Sequence, residues 1–240
     1  MLFRSHSTVE LVSEILETEK IDADKTGRVL IGMAHKANRA VGLRNYADYA
    51  NKTFGTHHRY LDKDQCAEHG IKGPQVFGGL LTPGYFGVHP MKYVRGLARA
   101  AIKYGAILHD QAPVEGWRKD DGWHVLSTPK GEVRARKVII ATNGYTAEDT
   151  HPGLAGRTLP ALSNILVTRP LTQNELNAQG WTTTDICYDT RNLLHYIRLL
   201  PDGRFLFGGR GGCDASPAGK ARMRAYMERT LRQRLPAWSD

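Results

Sequence analysis

The feature that most constrains this sequence is a short, unbroken apolar run, VIIA at 138–141. A continuous β-branched run without alternation is typical of a strand that is buried on both faces of a parallel-type sheet. The run follows a hairpin pattern in which residues 122–128 and 132–136 flank a Pro-Lys-Gly turn. A buried parallel-type strand next to antiparallel hairpins predicts an α/β fold, mixed with α+β character, built from two interleaved layers.

Periodicity and turn residues place further elements along the chain. Apolar residues at helical spacing predict helices over 8–20, 40–54, 90–104 and from Ser216 onward, and Gly55 can end the second of them. Strands are predicted at 29–33, 106–109, 193–199 and 204–208. His89 directly precedes the third helix, so a capping role is expected there.

Chain length and cysteine usage limit the class of protein. A chain of 240 residues can form one large domain or two interleaved ones. No apolar run approaches the ~20 residues of a membrane-crossing helix, so we expect no membrane span. Cys66, Cys187 and Cys213 are far apart and form no CxxC pair. Free thiols in a reducing compartment are the simplest interpretation, and we expect a cytoplasmic protein.

The formal net charge of +9 raises the question of anionic partners. The basic residues are spread along the chain except in the last helix, which carries Lys220, Arg222, Arg224, Arg229, Arg232 and Arg234. A solvated helix face explains this cluster, since only Tyr226 lies among the basic residues as an aromatic platform. We therefore expect no nucleic-acid partner, and a basic binding module stays as the alternative function, beside a non-catalytic remnant.

Several self-contained sites are absent from the sequence. It has no GxxxxGK[ST] loop, no HExxH and no GxSxG motif. His57 and His58 are adjacent, so in regular structure their side chains point apart, and we expect no metal site. No GxGxxG follows a first strand, so nothing in the chain can hold a dinucleotide pyrophosphate at a helix N-terminus.

What remains is a set of landmarks in a particular order. GGLLTPGYFGVHP precedes a helix, and AILHDQAPVEGW, VIIATNGYT and HYIRLLPDGRFLFGGR follow it. In this order the motifs resemble the D-amino-acid-oxidase-like superfamily of FAD-dependent oxidoreductases. Within it the similarity is greatest to the glycine and sarcosine oxidase branch, and there to the gamma-glutamylputrescine oxidoreductase type. The resemblance extends over nearly the whole chain, from about residue 10 to 235.

The resemblance implies FAD as cofactor and a two-domain organisation. A partial FAD-binding, Rossmann-like domain over 89–155 would be interleaved with an antiparallel-sheet substrate domain. Residues 1–88 would supply part of the substrate domain with connecting helices, and 156–240 its sheet and last helix. In the family, a valine after the crossover strand pairs its backbone with adenine, and Val114 matches it.

The resemblance also implies residues beside the cofactor and the substrate. The small-residue loop after the long strand matches Ala141, Thr142, Asn143 and Gly144, where small side chains allow the backbone to approach the cofactor closely. Ordinary strand and turn residues are the alternative for Val114 and for this loop. On the strand at 193–199, alternation puts Tyr196 and Arg198 on one face, where an aromatic wall and a carboxylate clamp could form. A surface Tyr–Arg pair is the alternative, and Arg210 is a second candidate for the clamp.

The implied chemistry is oxidation of an amine or amino acid, in which a hydride leaves the amine-bearing carbon and the imine is hydrolysed. The sequence leaves open the amine, the acceptor that reoxidises the flavin, covalent attachment of the flavin and the oligomeric state. The glycine fingerprint and the glycine-rich closing segment of the family are not found. We therefore expect a fragment that lacks both ends and binds FAD poorly on its own.

Overall fold

The computed structural model describes residues 2–149, 151–157, 159 and 161–238, with side chains from Thr8 onward. The chain divides into two compact units. Unit 1 contains Met1–Ala100 and Ser163–Asp240, and unit 2 contains Ala101–Leu162. The division falls inside a helix and before a strand rather than at the predicted residues 89 and 156. That these units correspond to substrate and cofactor domains stays a prediction.

Six α-helices and ten strands are formed by the described residues. The helices are α1 Leu2–Thr18, α2 Ala37–Phe54, α3 Lys63–Glu68, α4 Pro90–Lys103, α5 Gln173–Gln179 and α6 Pro217–Arg234. The strands are β1 Val29–Met33, β2 Arg59–Leu61, β3 Gly79–Pro83, β4 Gly116–Asp120, β5 Trp123–Thr128, β6 Gly131–Ala135, β7 Ser163–Pro170, β8 Ile186–Asp189, β9 His195–Leu199 and β10 Arg204–Arg210. Short 3-10 turns occur at Asn143–Tyr145 and Pro236–Trp238.

Unit 1 is built on a seven-stranded sheet with the order β2-β3-β1-β8-β9-β10-β7. Strands β1 and β8 run parallel, and the other neighbours pair antiparallel. The sheet is therefore mixed: it contains the predicted antiparallel pairs together with one parallel pair, β1 and β8. The long connection between β1 and β8 allows the chain to re-enter the sheet in the same direction, as a parallel neighbour requires.

The main hydrophobic core lies on one face of this sheet. Alternate strand residues such as Ile31, Ile197 and Phe207 are buried there, together with Cys66 of α3 and Met227 of α6. The opposite face is less apolar and is described with the candidate site below. A second, smaller cluster joins α1, the segment at 84–88 and α4 through the side chains Leu16, Ile21, Ala23, Phe86, Val88, Tyr93 and Leu97.

Helix ends follow the predicted chemistry in several places. Gly55 ends α2 in the left-handed region at φ 63°, where a side chain would be strained. His89 accepts a hydrogen bond from the Lys92 amide through Nδ1 at 3.5 Å, so the expected capping role before α4 is confirmed. The first helix was placed too late at 8–20, since α1 begins at Leu2 and ends at Thr18.

Unit 2 contains a three-stranded antiparallel sheet, β4-β5-β6. The β5–β6 hairpin was predicted from its Pro-Lys-Gly turn and is confirmed. The predicted strands at 106–109 and 138–141 are wrong, because both segments are irregular in the structure. Ile107 and Ile139 are 80% and 90% exposed. A β-branched run becomes a buried strand only when neighbouring strands pair with it, and no described strand does so here.

This difference in burial within unit 2 gives a direct test. Val125 on β5 is fully buried, whereas Ile139 is 90% exposed. We expect Val125→Ala to cost roughly 1–3 kcal/mol of unfolding free energy, because it leaves a cavity. Ile139→Ser should change stability by less than about 0.5 kcal/mol, as exposed positions do. Denaturant unfolding followed by tryptophan fluorescence, to which Trp117 and Trp123 of unit 2 contribute, checks both variants. A large loss from Ile139→Ser would show that the segment is packed.

Candidate functional site

One cross-strand row passes through all seven strands of the unit 1 sheet. In sheet order it contains Tyr60, Leu80, Gly32, Tyr188, Tyr196, Gly208 and Ile165, each directly opposite the next. Directly opposite residues share one face of a sheet. The row therefore lies on the face away from the main core, which we call the tyrosine face after Tyr188 and Tyr196.

The tyrosine face is covered at one end and accessible at the other. Helix α2 packs against β2 and β3, and the guanidinium of Arg44 lies 4.6 Å from the centre of the Tyr60 ring. Leu80 is accordingly buried. At the opposite end, on β7, Ile165 is 53% exposed and Val167 is 45% exposed. On unit 1 the face is thus exposed at β7, whereas over β9 the loops that contain Thr26 and Val88 lie against Arg198.

Two glycines allow the two tyrosine rings to lie flat on the sheet. A Cβ atom on Gly208 would come within 1.8 Å of Tyr196 Cε2, and one on Gly32 within 2.8 Å of the Tyr188 hydroxyl oxygen. Each ring therefore lies over the backbone of a neighbouring strand, Tyr188 over β1 and Tyr196 over β10. Any larger residue at either glycine would force its ring to move, since contacts this short do not occur.

The structure brings Tyr196 and Arg210 together through Ser163. The hydroxyl groups of Tyr196 and Ser163 share a hydrogen bond of 2.5 Å. Ser163 on β7 is the direct cross-strand partner of Arg210 on β10. The side chain of Arg210 is exposed, and among the described residues it has neither a hydrogen-bond nor an ion-pair partner. A guanidinium with its donors free beside a fixed hydroxyl suits a carboxylate, which it can bind through two hydrogen bonds.

Arg198 lies on the same face, but its guanidinium is occupied by the protein. It donates to the Thr26 hydroxyl, to the Val88 carbonyl at 3.3 Å and to the Asp24 carbonyl at 3.4 Å. It rests on Gly87, where a Cβ would lie 2.5 Å from its Cζ. Burial lowers the pKa of Arg198 from its ordinary value. Arg198 therefore fastens two loops to β9, and its predicted clamp role stays a prediction.

On the core face of the same strands lies a buried ionic cluster that sequence reasoning missed. The Asp189 carboxylate accepts hydrogen bonds from His195 Nδ1 at 2.9 Å, from Arg234 at 2.7 Å and from Arg191. It also accepts from the backbone amide of His195 at 3.1 Å. The His195 ring stacks on Phe207 at 4.9 Å. The cluster ties β8, β9 and α6 together.

Opposing effects act on the Asp189 carboxyl. Burial would raise its pKa, but the hydrogen bond from His195 and the charge of Arg234 outweigh burial and hold the pKa well below its ordinary value. Arg234 is itself buried, and that burial lowers its pKa despite the attraction of Asp189. A buried pair of this kind is stable only while both partners are present. No sequence pattern marks the cluster, because its members come from separate elements.

Unit 2 contains a separate open cavity of about 280 Å³ beside Val114. Its lining includes the apolar Ala112, Val114 and Leu126 and the polar Thr128 and Lys130. Val114 lies outside any strand, and within the described chain neither its amide nor its carbonyl has a hydrogen-bond partner. Both groups are therefore available to a ligand.

The predicted loop at 141–144 does not line the cavity beside Val114. Its four residues are exposed. Asn143 adopts a left-handed conformation at φ 52°, and its side-chain carbonyl accepts from the Gly144 amide at 2.8 Å. The structure thus does not join the two predicted cofactor segments in one cavity, and their roles stay predictions.

Other predicted or excluded sites can be compared with the structure. Cys66 and Cys187 are buried free thiols, Cys213 is an exposed one, and burial raises the pKa of Cys66 to about 11. Over the described ranges, no group of three or more His, Cys, Asp or Glu side chains could hold a metal ion. None of the described helices has the length and apolarity that crossing a bilayer requires.

Several basic side chains of helix α6 form ion pairs with acidic side chains of the same protein. Arg222 pairs with Asp214, Arg224 with Glu228, and Arg234 with the buried Asp189. Tyr226 is partly exposed, and its hydroxyl lies 3.4 Å from His195 Nε2. Ion pairs formed inside the molecule leave fewer cations for an anionic partner.

Comparison with protein families decides the class. The family model described as FAD dependent oxidoreductase, DAO, matches residues 3–240. The chain belongs to this family. The expected resemblance and the expected cofactor, FAD, are thereby confirmed at the level of the family. The mixed α/β fold with a separate antiparallel sheet agrees with the solved structures that resemble it.

Individual relatives give the same result. The chain is 30% identical over 210 residues to a probable oxidoreductase OrdL of Haemophilus influenzae, covering 85% of this chain and 48% of that protein. It is 28% identical over 204 residues to the gamma-glutamylputrescine oxidoreductase of Escherichia coli, covering 83% and 46%. The chain thus spans about half the length of these family members.

Solved structures of family-like proteins show the fold. Glycine oxidase from Geobacillus kaustophilus superposes with a TM-score of 0.70 at 21% identity, over 98% of this chain and 61% of that one. L-proline dehydrogenase from P. horikoshii superposes with a TM-score of 0.73 at 17% identity, over 96% and 61%. Both therefore share the arrangement of strands and helices described above.

The buried cluster predicts a specific acid dependence of stability. Asp189→Asn leaves Arg191 and Arg234 without their counter-charge, so we expect a loss of roughly 3–5 kcal/mol in unfolding free energy. The folded pKa of Asp189 is depressed, so its contribution is present above the ordinary value of 3.8 and is lost as pH falls through the folded pKa. The fall in stability below about pH 4 should therefore be shallower in the variant.

Denaturant melts of both proteins between pH 7 and pH 2.5 measure this effect. Asp214→Asn is the matched control, since Asp214 pairs with Arg222 at the surface, with side chains 48% and 69% exposed. Its stability should change little. Equal losses for the two substitutions would contradict a special role for the buried carboxylate.

Proposed function

We propose that this chain supplies the substrate-facing sheet and part of the cofactor-binding unit of an FAD-dependent oxidoreductase that oxidises an amine or amino acid. One observation carries the proposal: near its exposed β7 edge the tyrosine face offers a flat ring, Tyr196, beside Arg210, whose guanidinium has no partner among the described residues. A binding site needs an apolar surface and a few convergent polar groups, and this face provides both.

The relatives support a substrate that carries both an amine and a carboxylate. Their names include gamma-glutamylputrescine oxidoreductase and glycine oxidase, which act on compounds of this kind. Arg210 would bind the carboxylate and orient the substrate on the sheet. The hydrogen bond between Ser163 and Tyr196 at 2.5 Å would hold the tyrosine ring in place. Arg198 would position β9 by fastening it to the loops at Thr26 and Val88.

The residues of unit 2 fit the adenine end of FAD. Val114 is exposed as a residue, and its amide and carbonyl have no partners inside the described chain, which is what pairing with a purine edge requires. The exposed Ala141, Thr142, Asn143 and Gly144 have side chains small enough for close approach of a cofactor. When bound, FAD would accept the hydride from the amine-bearing carbon. The protein residues would bind and orient the substrate.

We place the protein in the cytoplasm as part of the same proposal, on the strength of its three unpaired cysteines. A basic module for nucleic acid has less support. Three of the six basic residues in α6 already pair with acidic side chains. Only one aromatic residue, Tyr226, lies among them to stack on a base.

The carboxylate role of Arg210 is testable in the flavin-loaded protein that contains this chain. Removing one charge-assisted, bidentate contact costs about 1.5–3 kcal/mol, so Arg210→Ala should raise KM for a carboxylated amine roughly ten- to hundred-fold. Steady-state rates of amine-dependent turnover, measured over a range of substrate concentrations, give this value. Arg224→Ala is the control, because Arg224 pairs with Glu228 on the exposed side of α6, away from the tyrosine face. An unchanged KM for Arg210→Ala would exclude it as the anchor.

Flavin retention by the 240-residue chain itself is a separate test. The sequence has no GxGxxG turn to hold the pyrophosphate, so we expect the purified chain to retain little FAD. FAD released on denaturation, divided by protein concentration, measures the occupancy. A stoichiometric flavin content would contradict the expectation and would show that the residues present hold the cofactor without that turn.

A further inference from the structure

A cleft lies on the core side of the unit 1 sheet, opposite the tyrosine face, and the proposed function makes no use of it. Its outer part, of about 270 Å³, is lined by residues of α3 and of the segment at 71–76. Its inner part, of about 10 Å³, is lined by Trp181, Arg234 and the core residues Ile197 and Phe207, among others. We propose that this cleft binds a small aliphatic carboxylate. The inference does not rest on the proposed function.

The first step is the shape of the cleft. Lys72, Gly73 and Val76 line both parts, so the outer part adjoins the inner one. Ala67 and Ile71 add apolar surface to the outer part, which is large enough for a short alkyl chain. The inner part has room for about one oxygen-sized group. A ligand with an alkyl tail and a leading oxygen atom therefore fits both parts.

The second step is an unused hydrogen-bond donor. Trp181 is 2% exposed, and its Nε1 is buried without a partner among the described residues. An indole N–H can only donate, and a buried donor that makes no hydrogen bond costs free energy. Trp238, whose ring packs on the same Phe205 as that of Trp181, donates to the Glu175 carbonyl at 2.8 Å. Of these two neighbouring indoles, Trp181 therefore keeps its N–H for an acceptor in the cleft.

The third step is the charge beside the inner part. Arg234 lines it, and Gln75, which also lines it, accepts a hydrogen bond from Arg191. Both guanidinium groups pair with the single carboxylate of Asp189. Burial lowers the pKa of Arg234, and although Asp189 opposes this effect, the charge of Arg191 lowers the pKa further. Two cations thus share one anion, and because an unbalanced buried charge is costly, an anion is favoured in the inner part.

The fourth step is the charge at the mouth. The outer part is lined by Lys63, Lys72 and Asp64, so two cations face one anion there as well. The stem of Lys72 lies against Gly180, where a Cβ would come within 2.5 Å of Lys72 Cδ. Such a stem covers apolar surface while its ammonium group stays in water, at the entrance. A single negative charge balances this site, and a carboxylate carries one charge where a phosphate carries close to two.

NMR titration of the ¹⁵N-labelled 240-residue chain with hexanoate tests the inference without flavin. The chain has four tryptophans and hence four indole N–H signals, and Trp181→Phe identifies the signal of Trp181. Hexanoate should shift this signal in a saturable way, and it should raise the midpoint of thermal unfolding, as a ligand of the folded state does. Hexan-1-ol, which lacks the charge, should bind roughly ten-fold more weakly. Inorganic phosphate should cause no saturable shift.

Variants test the donor and the outer cleft separately. Trp181→Phe should weaken hexanoate binding roughly ten-fold, because it removes a hydrogen bond to a charged group. Backbone amide signals of the segment at 71–76 give this affinity. Trp238→Phe is the matched control, since its N–H is already used inside the protein, and it should bind like the parent. Ala67→Leu, which fills the outer part, should also weaken binding. Near-UV circular dichroism of each variant verifies that it is folded.

The possible outcomes also separate this cleft from the tyrosine face. Arg210→Ala should leave the hexanoate-induced shift of Trp181 unchanged, because Arg210 lies on the other side of the sheet; loss of the shift in that variant would overturn the inference. So would a Trp181 signal that does not move in the folded parent chain, or equal affinities for hexanoate and hexan-1-ol. None of these results bears on amine-dependent turnover by the larger protein, which tests the proposed function.

Discussion

The arrangement of the tyrosine face depends on how Asp189 fixes the position of β9. Its carboxylate accepts both the backbone amide and the ring Nδ1 of His195, the first residue of that strand. A slip of one residue would exchange the two faces of a strand. Tyr196 and Arg198 would then enter the core, and Ile197 would leave it. A buried carboxylate with several donors tolerates no such slip, because any unpaired charge left inside the protein is costly.

The same strands serve two opposite purposes through alternation. On the core side, Ile197, Leu199 and Phe207 pack against helices and provide stability through burial of apolar surface. On the other side, Gly32 and Gly208 have no side chain to pack, and this leaves room for the tyrosine rings to lie flat on the sheet. Glycine in a strand interior weakens the strand. Its presence opposite two half-buried tyrosines is explained by the shape of the surface rather than by stability.

Local signals made much of unit 1 predictable. The Pro-Asp-Gly turn and the alternation around it give the hairpin of β9 and β10 and place Tyr196 and Arg198 on one face. Contacts between residues distant in the chain could not be predicted from the sequence. Arg198 donates to the Asp24 carbonyl, 174 positions away, and Arg234 donates to Asp189, 45 positions away. Single-sequence patterns report the face on which a residue lies, and they say nothing about which distant group meets it there.

The two arginines of the tyrosine face show how position in the fold decides chemistry. Arg198 and Arg210 are the same residue type on adjacent strands, and both were candidates for binding a carboxylate. Arg198 is half-buried, its terminal nitrogens donate to Thr26 and to two backbone carbonyls, and its Nε is buried without a partner among the described residues. Arg210, next to the edge strand β7, has no hydrogen-bond or ion-pair partner in the part of the chain that the structure describes. The first therefore contributes a fixed positive charge and a rigid β9, and the second a group that can move to meet a ligand.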